Sequence, residues 1–210
     1  MNPELAKSTD PTRDVWNERY AQRDLLWSAG PNRFVEAELS GMAPGRALDL
    51  AAGEGRNAIW LAEQGWKATA VDFSDVAIEK GRARARDSGL SITWIVEDLI
   101  SFRPEPGAFD LVLLAYLHLR RRNFLGVVRN AATALVPGGT ILVIGHDASN
   151  IDHGVGGPQD PTVLYSAADI TAVLRGFEVK GAGMVLRPVN VEGVEHNAID
   201  VLVRAVKAKS

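Results

Sequence analysis

The sequence contains no cysteine among its 210 residues. This absence excludes structural disulfides, zinc sites built on thiolates and a cysteine nucleophile. The sequence also lacks an apolar run of about 18 residues, which is the length needed to span a bilayer, and we expect no membrane insertion. Residues 1–10 have no apolar core like that of a secretory signal, so we expect a frayed N-terminal tail and a cytoplasmic protein. No two histidines have helical ligand spacing, and we expect no metal site.

There is no excess of basic residues either. The formal net charge is -3, and the only arginine run covers residues 120–122. Binding to a phosphate backbone requires a broad positive field, which this composition does not provide. We therefore expect no nucleic-acid partner. The other expectations on partners are a small-molecule substrate and a monomer or homodimer.

Short apolar runs rich in β-branched residues alternate with stretches of helical periodicity from residue 46 onward. This alternation is typical of βαβ units around a parallel sheet. We predict strands near 46–51, 67–72, 91–96, 109–115 and 139–145, and helices near 56–65, 74–88, 121–135 and 166–175. Two further strands, 177–184 and 198–206, are expected to pair antiparallel across a turn-rich stretch.

The expected fold class is α/β, a doubly wound, mostly parallel seven-stranded sheet with helices on both faces and an antiparallel last strand. We predict one domain over residues 1–210, with a helical cap over 1–44 and a Rossmann-like core over 45–210. Residues 147–162 form a long connection with three glycines and two prolines. Loops of this length are often functional.

Residues 47–58 lead from a buried strand through a glycine turn into a helix. Gly53 and Gly55 would allow a ligand to approach the backbone, and Asp72 at the end of the next strand would accept hydrogen bonds from a ribose. This pattern alone also fits a dinucleotide. Asp49, inside the first strand, favours a cationic ligand such as S-adenosylmethionine over a pyrophosphate. A structural acid that accepts local backbone hydrogen bonds is the alternative for Asp49.

A further acid, Asp98, follows the third predicted strand. Its carboxylate would accept from the exocyclic amine of adenine, while the backbone amide of Leu99 would donate to the ring. Acids are common at strand ends because polar loops begin there. The ordered spacing of Asp49, Asp72 and Asp98 nevertheless indicates a nucleoside site.

Together these motifs resemble the seven-stranded, Rossmann-like S-adenosylmethionine-dependent methyltransferases over about residues 45–145. The resemblance rests on residues 48–55, 71–74, 97–99, 109–112 and 135–139. Within that family, residues 55–57 resemble the subgroup of tellurite-resistance and thiopurine methyltransferase-like proteins. The first position of the glycine turn is Ala51, where the family often has glycine. The resemblance implies that the cofactor is held by Ala51, Gly53, Gly55, Asp72, Phe73, Asp98, Leu99 and Ala115, with Asp49 nearby.

Such a fold would bring the methyl group near the ends of the first, fourth and fifth strands. Tyr116 and His118 follow the fourth strand, and His146 follows the fifth. We predict that His146 accepts a proton from the acceptor, oriented by Asp147 or by the loop, unless it only hydrogen-bonds the loop. His118 lies in an apolar stretch and would equally suit a buried histidine. Alignment of the reactants without a base is a further alternative.

In the front segment, Trp27 would cover the sulfonium by a cation–π contact or pack between helices. Candidate pocket residues are Phe34, Tyr116, Val163 and Tyr165. The sequence thus predicts methyl transfer to a small molecule. An NAD-dependent oxidoreductase and a non-catalytic S-adenosylmethionine-binding regulator are the alternatives, although the sequence has no Tyr-x-x-x-Lys pair for hydride transfer.

Overall fold

A computed structural model describes residues 12–209 of the chain. The expected tail over residues 1–10 therefore lies outside the described residues. The helices are α1 (Arg13–Ala21), α2 (Arg33–Leu39), α3 (Arg56–Glu63), α4 (Asp75–Asp87), α5 (Arg121–Thr133), α6 (Asn150–His153) and α7 (Ala167–Thr171). The strands are β1 (Arg46–Leu50), β2 (Lys67–Asp72), β3 (Thr93–Val96), β4 (Phe109–Ala115), β5 (Leu135–His146), β6 (Phe177–Val191) and β7 (Val194–Lys207).

All seven strands form one sheet in the order β3-β2-β1-β4-β5-β7-β6. The first five are parallel, and β7 runs antiparallel to both β5 and β6. The chain moves outward from β1 to β3 and then returns to β4 on the other side of β1. This switch in direction opens a crevice at the carboxyl ends of β1 and β4, where ligands of such sheets bind. The predicted fold class is confirmed.

The two faces of the sheet are covered by different helices. Along β1, Leu48 belongs to the core cluster that contains Phe124 of α5, whereas its neighbour Ala47 belongs to the cluster that contains Leu61 of α3. Adjacent strand residues point to opposite faces, so both faces are buried. Val35 of α2 is fully buried in the second cluster. Helix α2 of the expected cap is therefore packed into the core.

The final hairpin is longer than the sequence predicted. Its strands reach the Val191–Val194 pair and are joined by Glu192 and Gly193, which both have positive φ, 52° and 86°. Two such residues suit the tight turn of a β-hairpin. Pro188 is accommodated because β6 is an edge strand, where a missing N–H removes no necessary ladder hydrogen bond.

Other bounds also differ from the expectation. β5 begins at Leu135, and the last helix is shortened to α7, which starts with a capping box formed by Ser166 and Asp169. The long connection contains α6 and a short 3-10 turn at Pro161–Val163. Among residues 12–209, no helix has both the length and the apolar character of a membrane span.

Candidate functional site

A cavity of about 910 Å³ lies at the carboxyl ends of β1, β4 and β5. Its volume is at the upper end of the usual range for small-molecule sites, roughly 300–1,000 Å³. Most of the predicted residues line it: Trp27, Ala51, Gly53, Asp72, Phe73, Asp98, Leu99, Ala115, Tyr116, His118 and His146. Asp49 and Gly55 are not part of the wall. The sheet therefore brings residues distant in sequence to one place.

The glycine turn has a left-handed backbone at three positions. Ala51, Gly53 and Gly55 have φ values of 59°, 55° and 72°. A Cβ at Gly53 would lie 2.6 Å from the hydroxyl of Tyr20, so this glycine allows α1 to close over the turn. A Cβ at Gly55 would lie 2.3 Å from the Trp94 ring. Gly55 thus makes room for the Trp94 ring, and its contact with the cofactor stays a prediction.

Asp72 connects the turn to the end of β2. Its Oδ2 accepts from the Gly53 amide at 2.8 Å, and its Oδ1 accepts from the Ser74 amide at 2.9 Å. Burial raises the pKa of Asp72, and the backbone hydrogen bonds to Ser74, Gly53 and Phe73 partly oppose this rise. Each carboxylate oxygen can accept a second hydrogen bond, so a ribose hydroxyl can still be bound.

Asp98 lies at the outer end of the same wall. It is exposed, and its Oδ1 accepts from the Ile100 amide at 2.9 Å. The adjacent Leu99 is buried in the core cluster beneath β4. An exposed acid beside a buried residue provides a polar group at the rim and an apolar floor, which suits the edge and the face of a purine.

Asp49 lies in the protein interior, behind the turn. It is 1% exposed, and neither carboxylate oxygen has a hydrogen-bond partner in the described part of the chain. Burial raises its pKa to about 7, and Asp72 adds to the rise. The charge of Arg56 and the backbone amide of Ala58 partly oppose this rise. Asp49 is therefore buried behind the wall of the cavity and does not line it.

The roof over the turn is formed by α1 and the segment that leads to Trp27. Lys80 of α4 holds it by donating to the backbone carbonyls of Tyr20 and Arg23, and Glu54 accepts from the Leu26 amide at 2.9 Å. Trp27 is 44% exposed and lines the cavity. These polar contacts fix the roof above the turn.

The other end of the cavity contains a buried cluster of charged and aromatic residues, centred on Asp200 of β7. Tyr116 donates to Asp200 Oδ2 at 2.6 Å, and Arg187 Nε donates to the same oxygen at 2.6 Å. His146 Nδ1 lies 3.2 Å from Asp200 Oδ1, outside the alignment of a regular hydrogen bond. Burial would raise the pKa of Asp200, but His146, Arg187 and Tyr116 outweigh it and hold this pKa below its ordinary value.

The imidazole of His146 is enclosed by other rings. It stacks on His118 with centroids 5.6 Å apart, and Tyr116 meets it edge-on at 5.0 Å. His118 stacks in turn on Trp16 of α1 at 6.1 Å. Burial, together with the nearby His146 and Arg19, lowers the pKa of His118 to about 4. His118 is therefore neutral near pH 7 and forms part of the wall around His146.

Of the two expected partners of His146, Asp147 and the loop, the acid is engaged elsewhere. Asp147, the expected orienting residue, instead accepts from the backbone and the hydroxyl of Ser149, at 2.9 and 2.6 Å. Asp200 and Arg187 were missed, although an acid within the apolar strand 198–203 is the same signal that marked Asp49.

Two of the expected pocket residues also lie elsewhere. Phe34 packs on the core cluster of α2 and α3, and Tyr165 is buried against Phe124. Neither lines the cavity, whereas Tyr116 and Val163 do. An aromatic residue in a segment next to a site can equally face the core, and sequence proximity does not separate the two cases.

The loop after β5 contacts the His146 ring through Gly157. A Cβ at Gly157 would lie 2.9 Å from Nδ1, whereas one at Gly156 would meet nothing within 4 Å. Both glycines have a left-handed backbone, with φ of 71° and 68°.

We expect Gly157→Ala to lower the turnover rate about tenfold or more because the methyl group displaces the ring of His146. Gly156→Ala, the control for backbone strain, should change it much less; equal effects in a kinetic assay would contradict the contact.

The segment that contains the glycine turn is similar to a known protein family. Residues 47–139 match a family model described as a methyltransferase domain. This stretch includes Ala51, Gly53, Asp72 and Asp98. S-adenosylmethionine is the cofactor that this family and its structural neighbours imply.

Two relatives with assigned names support this placement. The demethylmenaquinone methyltransferase of Thermus thermophilus is 30% identical over 123 residues, which cover 58% of this chain and 54% of the relative. The 2-heptyl-1-hydroxyquinolin-4(1H)-one methyltransferase of Mycobacteroides abscessus is 30% identical over 154 residues, covering 70% and 62%. The matched region thus spans little more than half the length of these relatives.

Solved structures share the fold over nearly the whole chain. TehB from Haemophilus influenzae has a TM-score of 0.72 at 17% identity, covering 93% of this chain and 66% of TehB. An S-adenosylmethionine-dependent methyltransferase from Mesorhizobium loti has a TM-score of 0.64 at 16% identity, covering 83% and 96%. At these identities the likeness establishes the fold alone, and membership of the tellurite-resistance subgroup stays a prediction.

The wall of the cavity fits this cofactor. The carboxylate of Asp72 keeps lone pairs free for the ribose hydroxyls. It also accepts from the Gly53 amide, which holds the glycine turn next to Asp72. Asp72 and Asp98 place carboxylates along the wall, and Arg56 at the start of α3 adds a guanidinium to it. The wall thus offers acceptors for hydroxyl and amine groups together with a partner for a carboxylate, which are the polar groups of S-adenosylmethionine.

Proposed function

We propose that the protein transfers a methyl group from S-adenosylmethionine to a small molecule, with His146 as the proton acceptor. The observation that carries this proposal is the joining of two different chemistries in one cavity. Asp72 and Asp98 at one end suit a nucleoside, whereas the other end presents His146 beside the buried Asp200. A volume of about 910 Å³ leaves room for a cofactor together with a small acceptor.

At the cofactor end, Asp72 would accept from the ribose hydroxyls, and Asp98 with the Leu99 amide would bind adenine. Arg56 begins α3 and lines the cavity, so its guanidinium and the start of the helix suit a carboxylate. Trp27 would cover the sulfonium from the roof. When bound, the cofactor supplies an electrophilic methyl group on a positively charged sulfur.

At the acceptor end, apolar and aromatic side chains of Trp16, Leu117, Leu119 and Val163 form the wall around His146. They would exclude water and orient the acceptor, while His146 removes its proton. Relatives named for demethylmenaquinone and for a heptyl-hydroxyquinolinone support a small acceptor. One relative is named for ribosomal RNA, but its match covers only 48% of this chain, and the net charge of -3 does not favour RNA.

Calorimetric titration with S-adenosylhomocysteine and with NAD tests the cofactor. We expect micromolar or tighter binding of S-adenosylhomocysteine and none of NAD. Asp72→Ala should weaken that binding at least about tenfold, since it removes ribose acceptors and frees the Gly53 amide. Asp87→Ala, at the exposed end of α4, is the matched control and should bind like the wild type. Equal affinity in Asp72→Ala would show that Asp72 does not bind the ribose.

Mass spectrometry of reactions with thiols, phenols, amines and chalcogen oxyanions tests the acceptor class. At least one small molecule should gain a methyl group in an S-adenosylmethionine-dependent reaction. Methylation of duplex DNA or structured RNA alone would overturn the proposal. Tight cofactor binding without any product would favour the non-catalytic regulator.

A further inference from the structure

Asp200 is completely buried and contacts three polar side chains at once. Tyr116 and Arg187 both donate to Oδ2, and Arg187 Nη2 also approaches Oδ1 at 3.4 Å. The oxygen nearest to His146 is Oδ1, 3.2 Å from Nδ1. Burying a carboxylate destabilises the folded state by several kcal/mol unless the group is paired. Apolar packing alone would not require a carboxylate with four polar contacts at this position.

The sheet register brings these groups to one face. Asp200 of β7 lies opposite His146 of β5 and opposite Val185 of β6. Directly opposite residues in antiparallel strands project to the same side, and Arg187 is two residues beyond Val185 and therefore on that side as well. Three neighbouring strands thus place an imidazole, a carboxylate and a guanidinium together.

We propose that Asp200 is a positioning residue that keeps the proton of neutral His146 on Nδ1, so that Nε2 is the base and the acceptor is a protic group, a hydroxyl. This inference rests on the proposed function. A carboxylate can only accept at Nδ1, so the tautomer with a proton on Nδ1 is favoured. A small rotation of the ring would align the bond, and such bonds are often poorly aligned without ligands.

The electron and proton balance follows from this tautomer. The acceptor oxygen bonds to the methyl carbon, and the carbon–sulfur bond breaks with its electron pair moving to sulfur. The hydroxyl proton moves to His146 Nε2. The positive charge thus passes from sulfur to the imidazolium, which faces the carboxylate of Asp200.

Arg187 and Tyr116 determine how Asp200 acts. Their shortest contacts are to Oδ2, whereas Oδ1 has only the longer 3.4 Å contact from Arg187 Nη2 and lies next to the imidazole. The guanidinium of Arg187 is paired with Asp200. The groups facing His146 from the packed elements are Asp200, Tyr116 and neutral His118, with Arg187 beyond Asp200 and Arg19 near His118. Among them Asp200 is the acceptor next to Nδ1.

The tautomer can be observed directly by two-bond ¹H–¹⁵N correlation spectra of the histidine-labelled full chain. His146→Gln assigns the signal among the four histidines, and a pH titration of the same signals identifies the neutral form. We expect neutral His146 to carry its proton on Nδ1. A proton on Nε2 in the wild type would overturn the proposal, and the tautomer itself is measured on the unaltered chain.

Asp200→Asn tests whether the carboxylate is what fixes the tautomer of His146. The side-chain amide of the variant can donate to Nδ1 as well as accept from it, whereas a carboxylate can only accept. We expect the preference for Nδ1–H to be lost, and kcat to fall at least about tenfold with little change in KM. An unchanged tautomer in Asp200→Asn would overturn the role of Asp200. Products methylated only on sulfur or on a chalcogen would overturn the hydroxyl assignment. Absence of S-adenosylhomocysteine binding would instead refute the proposed function, so the two failures are distinguishable.

Discussion

Replacing His146 by glutamine is expected to lower kcat by about 100-fold or more while leaving the affinity for S-adenosylhomocysteine nearly unchanged. Glutamine fills most of the space of the imidazole but cannot take up a proton. His146 lies at the end of the cavity opposite to Asp98, beside Asp200 and Tyr116, so cofactor contacts should persist. Steady-state kinetics and calorimetry on the same preparation measure both quantities.

His153→Gln is the matched control, because His153 is exposed in the short helix α6 and should contribute nothing to the rate. The loss in His146→Gln should also shrink as the pH rises, if the acceptor ionises by itself in the accessible range. A variant that keeps the full rate would show that alignment and desolvation suffice. A collapse of cofactor binding would place His146 under the cofactor and refute the assignment.

Gly55→Ala is expected to lower the free energy of unfolding by roughly 2–5 kcal/mol, the sum of a left-handed backbone and an overpacked contact. Its φ is 72°, and the added methyl group would lie 2.3 and 2.7 Å from two carbons of the Trp94 ring. Trp94 packs on the small core cluster of alanines between α3 and β2, so its ring has little room to move. Denaturant unfolding measures the change.

Gly89→Ala separates the two contributions. Gly89 has a similar φ of 66°, but a Cβ there would meet nothing within 4 Å. Its expected loss is therefore only the backbone part, roughly 1–2 kcal/mol. Similar losses in the two variants would show that the Trp94 contact does not contribute.

The parallel half of the fold was predictable because its signals are local. The strand that contains Asp49, the turn at Gly53 and the helix after it follow one another directly, and Asp72 ends the next strand along the chain. Parallel strands of such units end at the same edge of the sheet, so the sequence order alone placed Asp72 and Asp98 along one wall. Local pattern did not reveal that Gly55 is needed for Trp94.

The acceptor end was less predictable because it depends on register between distant strands. Asp200 meets His146 only because β7 pairs with β5 in one particular alignment, and a shift of one residue would turn Asp200 to the opposite face. Asp147 was the nearest acid in the sequence, but its position after the strand directs it to Ser149. An acid inside an apolar strand is the signal that would have indicated Asp200.

The order of strands also supports the two ends of the cavity from opposite sides of one sheet. Candidate cofactor contacts at the turn, at Asp72 and at Asp98 lie on β1–β3 and the loops after them, whereas Arg187 and Asp200 lie on a hairpin at the far edge that pairs only with β5. Asp200 and Arg187 face His146 from this hairpin, whereas its residues Val201 and Val203 belong to the same core cluster as Leu99 of the nucleoside wall. Substitutions on the cavity side of the hairpin are therefore expected to change the surroundings of His146 first, and substitutions on its core side are expected to reach the nucleoside wall as well.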